Sequence, residues 1–337
     1  MSTRRAEARG AQATGSRGVV GAGPGEPAAR AGSARQFSAM GGDHANLGAM
    51  VPLIVLGCGY IGTRLARAAA AAGRTVRVCG RSTGRLAPLG ELGIQVKYVD
   101  AAVPKQIGPG LAGLAGATVV YSIPPVASLP PGQAMRAALQ AAYGAGAGCF
   151  IQFSSAGLYG SQPDDDAWID EQTPMAHDDP PMSNVQSDER EVETCQFERL
   201  RTVTLRLAPV YGPGRGLRAR MRRGEFKILD DGQHATSRIH VDDVVRVVFA
   251  AEDRAPSRAR YLVADDEPTT QGAYARWLAE RLGLPTPPSR ALYEPGAPRV
   301  AHRNRRIRNS LMKQELGIEL QYPSFREGEA AIDAAEG

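Results

Sequence analysis

The chain has 337 residues, 43% of them hydrophobic, enough to bury a full core in one large or two modest domains. Its formal charge of +5 is unevenly placed: six Arg against Glu7, Glu26 and Asp43 put +3 on the first 49 residues, leaving +2 on the rest, too little to call for nucleic acid as a partner. Four scattered cysteines (Cys58, Cys79, Cys149, Cys195) lack the pairing of a zinc or redox site, and no apolar run approaches the roughly 18 residues of a membrane span, so the expectation is a cytoplasmic protein with reduced thiols and no membrane partner.

Residues 1–49 are dominated by Ala, Gly, Ser and Arg and hold too few large apolar groups to offset their ordering entropy, which predicts a disordered extension. Two origins fit it: translation starting at Met40 or Met50, or an Arg-rich targeting or interaction tail. At Met50 the character changes abruptly. Val51 to Leu56 is a short apolar run of the kind that forms a central parallel strand.

The strand is followed by Gly57-Cys58-Gly59-Tyr60-Ile61-Gly62, then by the Ala-rich helical segment Thr63 to Ala72, which stops at Gly73. A GxGxxG pattern alone is weak, but strand, glycine loop and helix in succession place free backbone N–H groups and the positive end of a helix dipole against a pyrophosphate. Gly57 permits the tight turn, Gly59 the approach of the phosphates, and Gly62 close packing of helix on strand. A second strand, Thr75 to Cys79, ends in Gly80-Arg81-Ser82, with no acid to receive the ribose hydroxyls. A guanidinium and a hydroxyl suit a 2′-phosphate, so NADP(H) is favoured and NAD(H) stays open.

Further strands are expected at Gln95–Val99, Thr118–Ile123 and Cys149–Ser154, with a helix at about 131–143. The alternation predicts an α/β Rossmann fold, a doubly wound parallel sheet with a smaller C-terminal substrate-binding region. Ligands in such sheets bind beyond the strand ends, where Asp100, Ser122, Pro124 and Ser154-Ser155 fall; Asp100 suits the adenine amino group or a helix-capping or loop role.

Ser154 to Gly160 (SSAGLYG), with Trp168 to Pro174, Leu205 to Gly214 and Arg238 to Val244 in order, resembles the extended short-chain dehydrogenase/reductase family, the NAD(P)-dependent epimerases and dehydratases. The resemblance covers about residues 51–330, and its C-terminal stretch Asn309 to Gly328 looks most like an atypical bacterial branch. It implies a catalytic Ser, Tyr and Lys, the Lys four residues after the Tyr. Ser155, four residues before Tyr159, matches the Ser. The Tyr and Lys positions fall near Ser183 and Ser187, and no Tyr lies between Tyr159 and Tyr211 and no Lys between Lys105 and Lys227. A Ser hydroxyl is far too weak an acid to replace a Lys-activated phenol. Substitute acids are Tyr159, Asp170, Glu171 or His177, or water can supply the proton.

Past Arg206 the chain is expected to return to the sheet and build the substrate region. Arg215, Arg218, Arg220, Arg222 and Arg223, and Arg303, Arg305, Arg306 and Arg308, either clamp an anionic substrate group or form a solvated basic face. Asp242 and Asp243 stand where carboxylates cap a helix, and Asp265 to Thr270 reads as a turn before a helix closed by Gly283. The expected organisation is 1–49 extension, 50–205 dinucleotide-binding domain, 206–330 substrate region with returning sheet elements and 331–337 tail. Two functions follow: an atypical NAD(P)-dependent oxidoreductase or epimerase acting on a small carbonyl or hydroxyl substrate, or a non-catalytic NADP(H)-binding sensor. The oligomeric state stays open, a homodimer included.

Overall fold

The computed structural model describes residues 50–161, 167–176, 182–291 and 304–336; the expected extension at 1–49 lies outside them. Strand β1 (Leu53–Leu56) leads into helix α1 (Tyr60–Ala71), and the alternation continues through β2 (Val76–Gly80), α2 (Thr83–Gly90), β3 (Gln95–Tyr98), α3 (Ile107–Leu111), β4 (Thr118–Tyr121), α4 (Gln133–Gly144) and β5 (Cys149–Ser155). After β6 (Trp168–Ile169) come α5 (Ser183–Thr194), β7 (Arg201–Leu207), β8 (Val210–Tyr211), α6 (Leu217–Arg222), β9 (Ile228–Leu229), β10 (Ala235–Thr236), β11 (Ile239–His240), α7 (Val241–Arg254) and β12 (Ala259–Val263). The described chain ends with β13 (Thr269–Thr270), α8 (Gln271–Leu282), β14 (Ser289–Arg290), β15 (Arg306–Ile307), α9 (Ser310–Leu316) and α10 (Phe325–Glu336).

Seven strands form one sheet in the order β12-β7-β5-β4-β1-β2-β3, every neighbouring pair parallel. The fold is therefore the doubly wound α/β architecture expected. Leu53 and Val55 of β1 join one core layer with Leu65 and Ala66 of α1 and Val244 and Val248 of α7. Ile54 and Leu56 join the other, with Met135, Ala138 and Leu139 of α4. A strand covered on both faces has no polar side to present, which is why its sequence is a continuous apolar run.

The sheet continues past the boundary expected at 205, which falls inside β7; β12 then adds the edge beyond it. A third core gathers under the C-terminal region around Tyr211, Met221, Tyr274, Leu278 and Phe325. The tail expected at 331–337 is largely helix, because α10 runs to Glu336 with Ile332 buried. Arg218, read from sequence as part of a basic cluster, is buried and ties α6 to that helix: its Nε donates to Glu329 at 2.6 Å, and its guanidinium pairs with Asp333 at 2.5 Å and Glu336 at 3.4 Å.

The capping role expected of Asp242 and Asp243 is also corrected. His240 is the N-cap of α7, its Nδ1 accepting from Asp242 N at 3.3 Å, and burial pushes its imidazole down to about 4, keeping the acceptor nitrogen unprotonated at neutral pH. Asp243 instead accepts from the backbone N–H groups of Gln321 (2.7 Å) and Tyr322 (2.9 Å), and Asp242 pairs with Arg64 at 2.8 Å. Helix α2, with Pro88 inside it, was not anticipated.

Breaking the buried Arg218 cluster leaves Glu329 uncompensated. Arg218→Ala is expected to lower unfolding free energy by about 3–5 kcal/mol in urea titration, and a loss below about 1 kcal/mol would show the cluster to be dispensable.

Candidate functional site

A cleft of about 740 Å³ opens where the sheet order reverses, between β1 and β4. Its centre is the glycine loop. Gly57 has φ +89°, and a Cβ there would stand 2.7 Å from Ile123 Cγ1 and 2.8 Å from Ile123 N, so only glycine fits. Gly62 packs on β1, where a Cβ would meet Val55 Cγ1 at 2.9 Å. Gly59 is different: nothing lies within 4 Å of a Cβ built on it, and it caps α1 with no side-chain acceptor and no acid in the first turn. The free N–H groups of α1 thus face open space, the arrangement that accepts an anion.

The cleft walls contain Gly57, Gly59, Tyr60 and Ile61 at the loop, Arg81 and Ser82 at one end, Asp100, and Ser122 and Pro124 opposite. Of the sequence-selected cofactor residues, Gly62 alone sits behind the wall. Asp100 also holds its own turn, its Oδ1 accepting from Ala102 N at 3.0 Å. Two lining residues add charge. Arg85, on α2, joins Arg81 and Ser82, and was missed because α2 itself was missed. Arg215 reaches in from the C-terminal region, 5.1 Å above the Tyr60 ring, whose hydroxyl donates to Pro213 O at 3.1 Å. Within the basic clusters, Arg215 is thus a cleft-lining member and Arg218 a buried, ion-paired one.

Ser155 ends β5, and its Oγ accepts from Gly157 N at 2.9 Å. Arg305, next to β15, donates to the carbonyl of Ala156 at 2.8 Å, so the second basic cluster reaches the Ser155 turn. Tyr159, offered as a substitute acid, is packed in the core at 1% exposure, its hydroxyl accepting from Arg206 Nη1 at 2.5 Å; neither it nor Ser155 is among the residues that line the cleft. Asp170 closes its own turn by accepting from Gln172 N (3.1 Å) and Thr173 N (3.0 Å), and Glu171 accepts from Leu262 N at 3.0 Å. His177 lies outside the described residues. Ser187, near the expected Lys position, donates to Ser183 O at 3.0 Å.

Beneath α5 lies a charged network that the sequence reading did not assemble. Arg206, on β7 and 1% exposed, donates to Glu189 from Nε at 2.9 Å and from Nη2 at 2.6 Å, while Ser154 Oγ donates to the same carboxylate. The signal was present: a cation between Leu205 and Leu207 on a central strand demands a buried partner. One residue before Glu189, Asp188 is buried without a hydrogen-bond partner among the described residues, and burial, helped by Glu191, pushes its carboxyl up to about 6.

The family model for the NAD dependent epimerase/dehydratase family matches residues 127–264. A 3-diazoavenalumate denitrifying reductase from a Streptomyces species is 31% identical over 140 residues, 37% of this chain; the chain spans less than half, 45%, of that relative's length. Among solved structures, a functionally unknown conserved protein from Silicibacter pomeroyi is 28% identical, with TM-score 0.72 over 84% of this chain and 98% of that one. The dTDP-glucose 4,6-dehydratase of Streptomyces venezuelae, solved with NAD, shares the fold at 19% identity, with TM-score 0.72 over 85% and 96% of the two chains. The family model covers under half of this chain; over that stretch the chain is similar to the NAD dependent epimerase/dehydratase family, and the solved structures share its fold. The glycine cradle with the open end of α1 fits the pyrophosphate of a dinucleotide. Among the described residues no helix is long and apolar enough to cross a membrane.

The glycines separate stability from binding. Gly62→Ala, forced against Val55, is expected to cost about 1–3 kcal/mol of stability. Gly59→Ala should cost less than about 1 kcal/mol while abolishing dinucleotide binding, since its Cβ enters the phosphate side of the loop. Equal thermal stability of the two variants would contradict this division. Asp188 gives a pH prediction. Its folded pKa lies above the unfolded value, so the native state binds more protons between about pH 4 and 6 and loses stability as pH rises through that window. Asp188→Asn should therefore gain on the order of 2 kcal/mol relative to the parent at pH 7.5, and much less at pH 4.5. An equal difference in urea stability at the two pH values would refute it.

Proposed function

We propose that the chain is an NADPH-dependent reductase of atypical type, acting on a small carbonyl or related acceptor without the family's Tyr–Lys pair. The observation that carries the cofactor preference is the adenosine end of the cleft, where Arg81, Ser82 and Arg85 converge and no acid stands at the end of β2. Two guanidiniums and a hydroxyl match a 2′-phosphate, whereas a carboxylate would match the free ribose hydroxyls. The α1 N–H groups and Arg215 would hold the pyrophosphate, and Asp100 the adenine amino group.

When bound, the dinucleotide supplies hydride at its nicotinamide ring. Ser155, at the end of β5, would polarise the acceptor oxygen, and Arg305 beside it would favour an anionic acceptor. The curated relative is named as a reductase, which supports reduction over epimerisation for this site. With the Tyr–Lys pair missing from the positions the resemblance gives it, reduction is also the direction that places least demand on a base.

Fluorescence titration should show tighter binding of NADPH than of NADH, with Arg81→Ala and Arg85→Ala each weakening NADPH about tenfold and leaving NADH nearly unchanged. Equal or tighter binding of NADH would overturn the preference. NADPH-dependent turnover on a carbonyl panel should fall about a hundredfold in Ser155→Ala. Tight NADPH binding with no turnover on any acceptor would instead favour the sensor.

A further inference from the structure

Tyr60 joins the glycine loop to the C-terminal region. It is the first residue of α1, directly after Gly59, and both it and Arg215 line the cleft. The segment that carries Arg215 is held against this side chain in three ways. The Tyr60 hydroxyl donates to Pro213 O at 3.1 Å. Gly212 approaches so closely that a Cβ built on it would stand 2.6 Å from Tyr60 Oη. Arg215 Cζ lies over the Tyr60 ring, 5.1 Å from its centroid, within the range in which an aromatic face attracts a cation.

The backbone between these contacts is short and stiff. Gly212 N donates to Arg215 O at 3.3 Å and Arg215 N to Gly212 O at 3.0 Å, closing a turn over Pro213 and Gly214. Proline presets φ at the first central position, and Gly214, at φ +72°, supplies the left-handed backbone the second one requires. The turn thus delivers Arg215 to the cleft with little freedom in its main chain.

The charge it delivers is available. A second guanidinium, that of Arg64, lies 5.6 Å from the same ring, but Asp242 takes it up at 2.8 Å. Among the described residues no ion pair takes up Arg215, which is exposed. The lining residues include Arg81, Arg85 and Arg215 but a single acid, Asp100, which closes its own turn. Arg81 and Arg85 stand with Ser82 past the end of β2, whereas Arg215 stands beside Tyr60, at the open end of α1. Resting on the reading of the cleft as the seat of NADPH, we infer that Tyr60 is a positioning residue whose ring and hydroxyl hold Arg215 at the pyrophosphate, so that the C-terminal region completes the dinucleotide site.

The strength of a guanidinium–phosphate contact depends on the direction from which the fork approaches. An arginine free to rotate loses side-chain entropy on binding, and the contact with Tyr60 removes part of that loss in advance. The pyrophosphate is common to NADPH and NADH, whereas the 2′-phosphate is not. Arg215 therefore adds affinity for both cofactors alike, in contrast to Arg81 and Arg85, which choose between them.

A double-mutant cycle on the full chain, read by fluorescence titration with NADPH and with NADH, tests this. Arg215→Ala is expected to weaken both cofactors by the same factor, about tenfold. Tyr60→Leu should weaken both about fivefold, and adding it to Arg215→Ala should weaken them no further. Tyr60→Phe keeps the ring and loses the hydroxyl, so a loss of about twofold is expected, again absent on the Arg215→Ala background. This variant carries the cycle if Tyr60→Leu does not fold. A merely structural Tyr60 would weaken binding whether or not Arg215 is present, so additive losses overturn the inference. It is equally overturned if Arg215→Ala leaves both cofactors unaffected, or weakens NADPH alone, which would place Arg215 at the 2′-phosphate. In each of these cases the parent chain still binds NADPH, and the cofactor reading stands. A parent chain that binds neither cofactor overturns that reading, and the inference falls with it.

Discussion

The buried pair between Arg206 and Glu189 is the constraint around which the β5–β7 half of this fold is arranged. The guanidinium comes from β7 and the carboxylate from α5, and the same two groups reach Ser154 on β5, Tyr159 in the turn after it, and Met175 in the loop beyond β6. Withdrawing two charges from water costs several kcal/mol per ion, and the attraction between them repays that only with good geometry and filled hydrogen-bonding positions. Here the carboxylate takes donors from Arg206 and Ser154, and the guanidinium reaches three partners. Such a pair adds little net stability, but removing one partner strands a buried charge, so it fixes the placement of α5 over the strand ends. The cation in this layer therefore comes from the sheet, in a chain whose α5 offers no Lys.

That placement divides the molecule by role. On the β1–β3 side the geometry is set by close approach: Gly57 against Ile123, Gly62 against Val55, and an α1 N-terminus left open at Gly59. On the β4–β7 side it is set by polar groups buried under α5. The first side leaves α1 N–H groups open, the arrangement that suits an anion, and Arg215, leaning over Tyr60, brings the C-terminal region to the same cleft. Arg218 and the acids of α10 keep the C-terminal region docked, so that α6, which follows Arg215, has a fixed position relative to the cleft.

The cofactor half was legible in the sequence because it depends on local rules. A continuous apolar run means a strand covered on both faces, and glycines at a strand end followed by an Ala-rich helix mean an anion loop; β1, α1 and the loop between them follow those rules residue by residue. Helix α2 was hidden by Pro88, and Arg85 with it. Asp242 and Asp243 sat at the right place for caps, but His240 had the extended backbone that a cap requires, and the Asp243 carboxylate was claimed by backbone nearly eighty residues later. Tyr159 looked available as an acid because sequence spacing gives no information on burial. The Arg206–Glu189 network joins residues from separate strands and a helix, a kind of proximity that no spacing rule carries.

The central claim is that this site transfers hydride without the family's Tyr–Lys pair. Its most direct test is NADPH carrying deuterium at C4 of the nicotinamide, incubated with the protein and a panel of small carbonyl acceptors, with products read by mass spectrometry. The account predicts a product enriched by one deuterium at the former carbonyl carbon. Tightly bound cofactor that keeps its deuterium against every acceptor would contradict it.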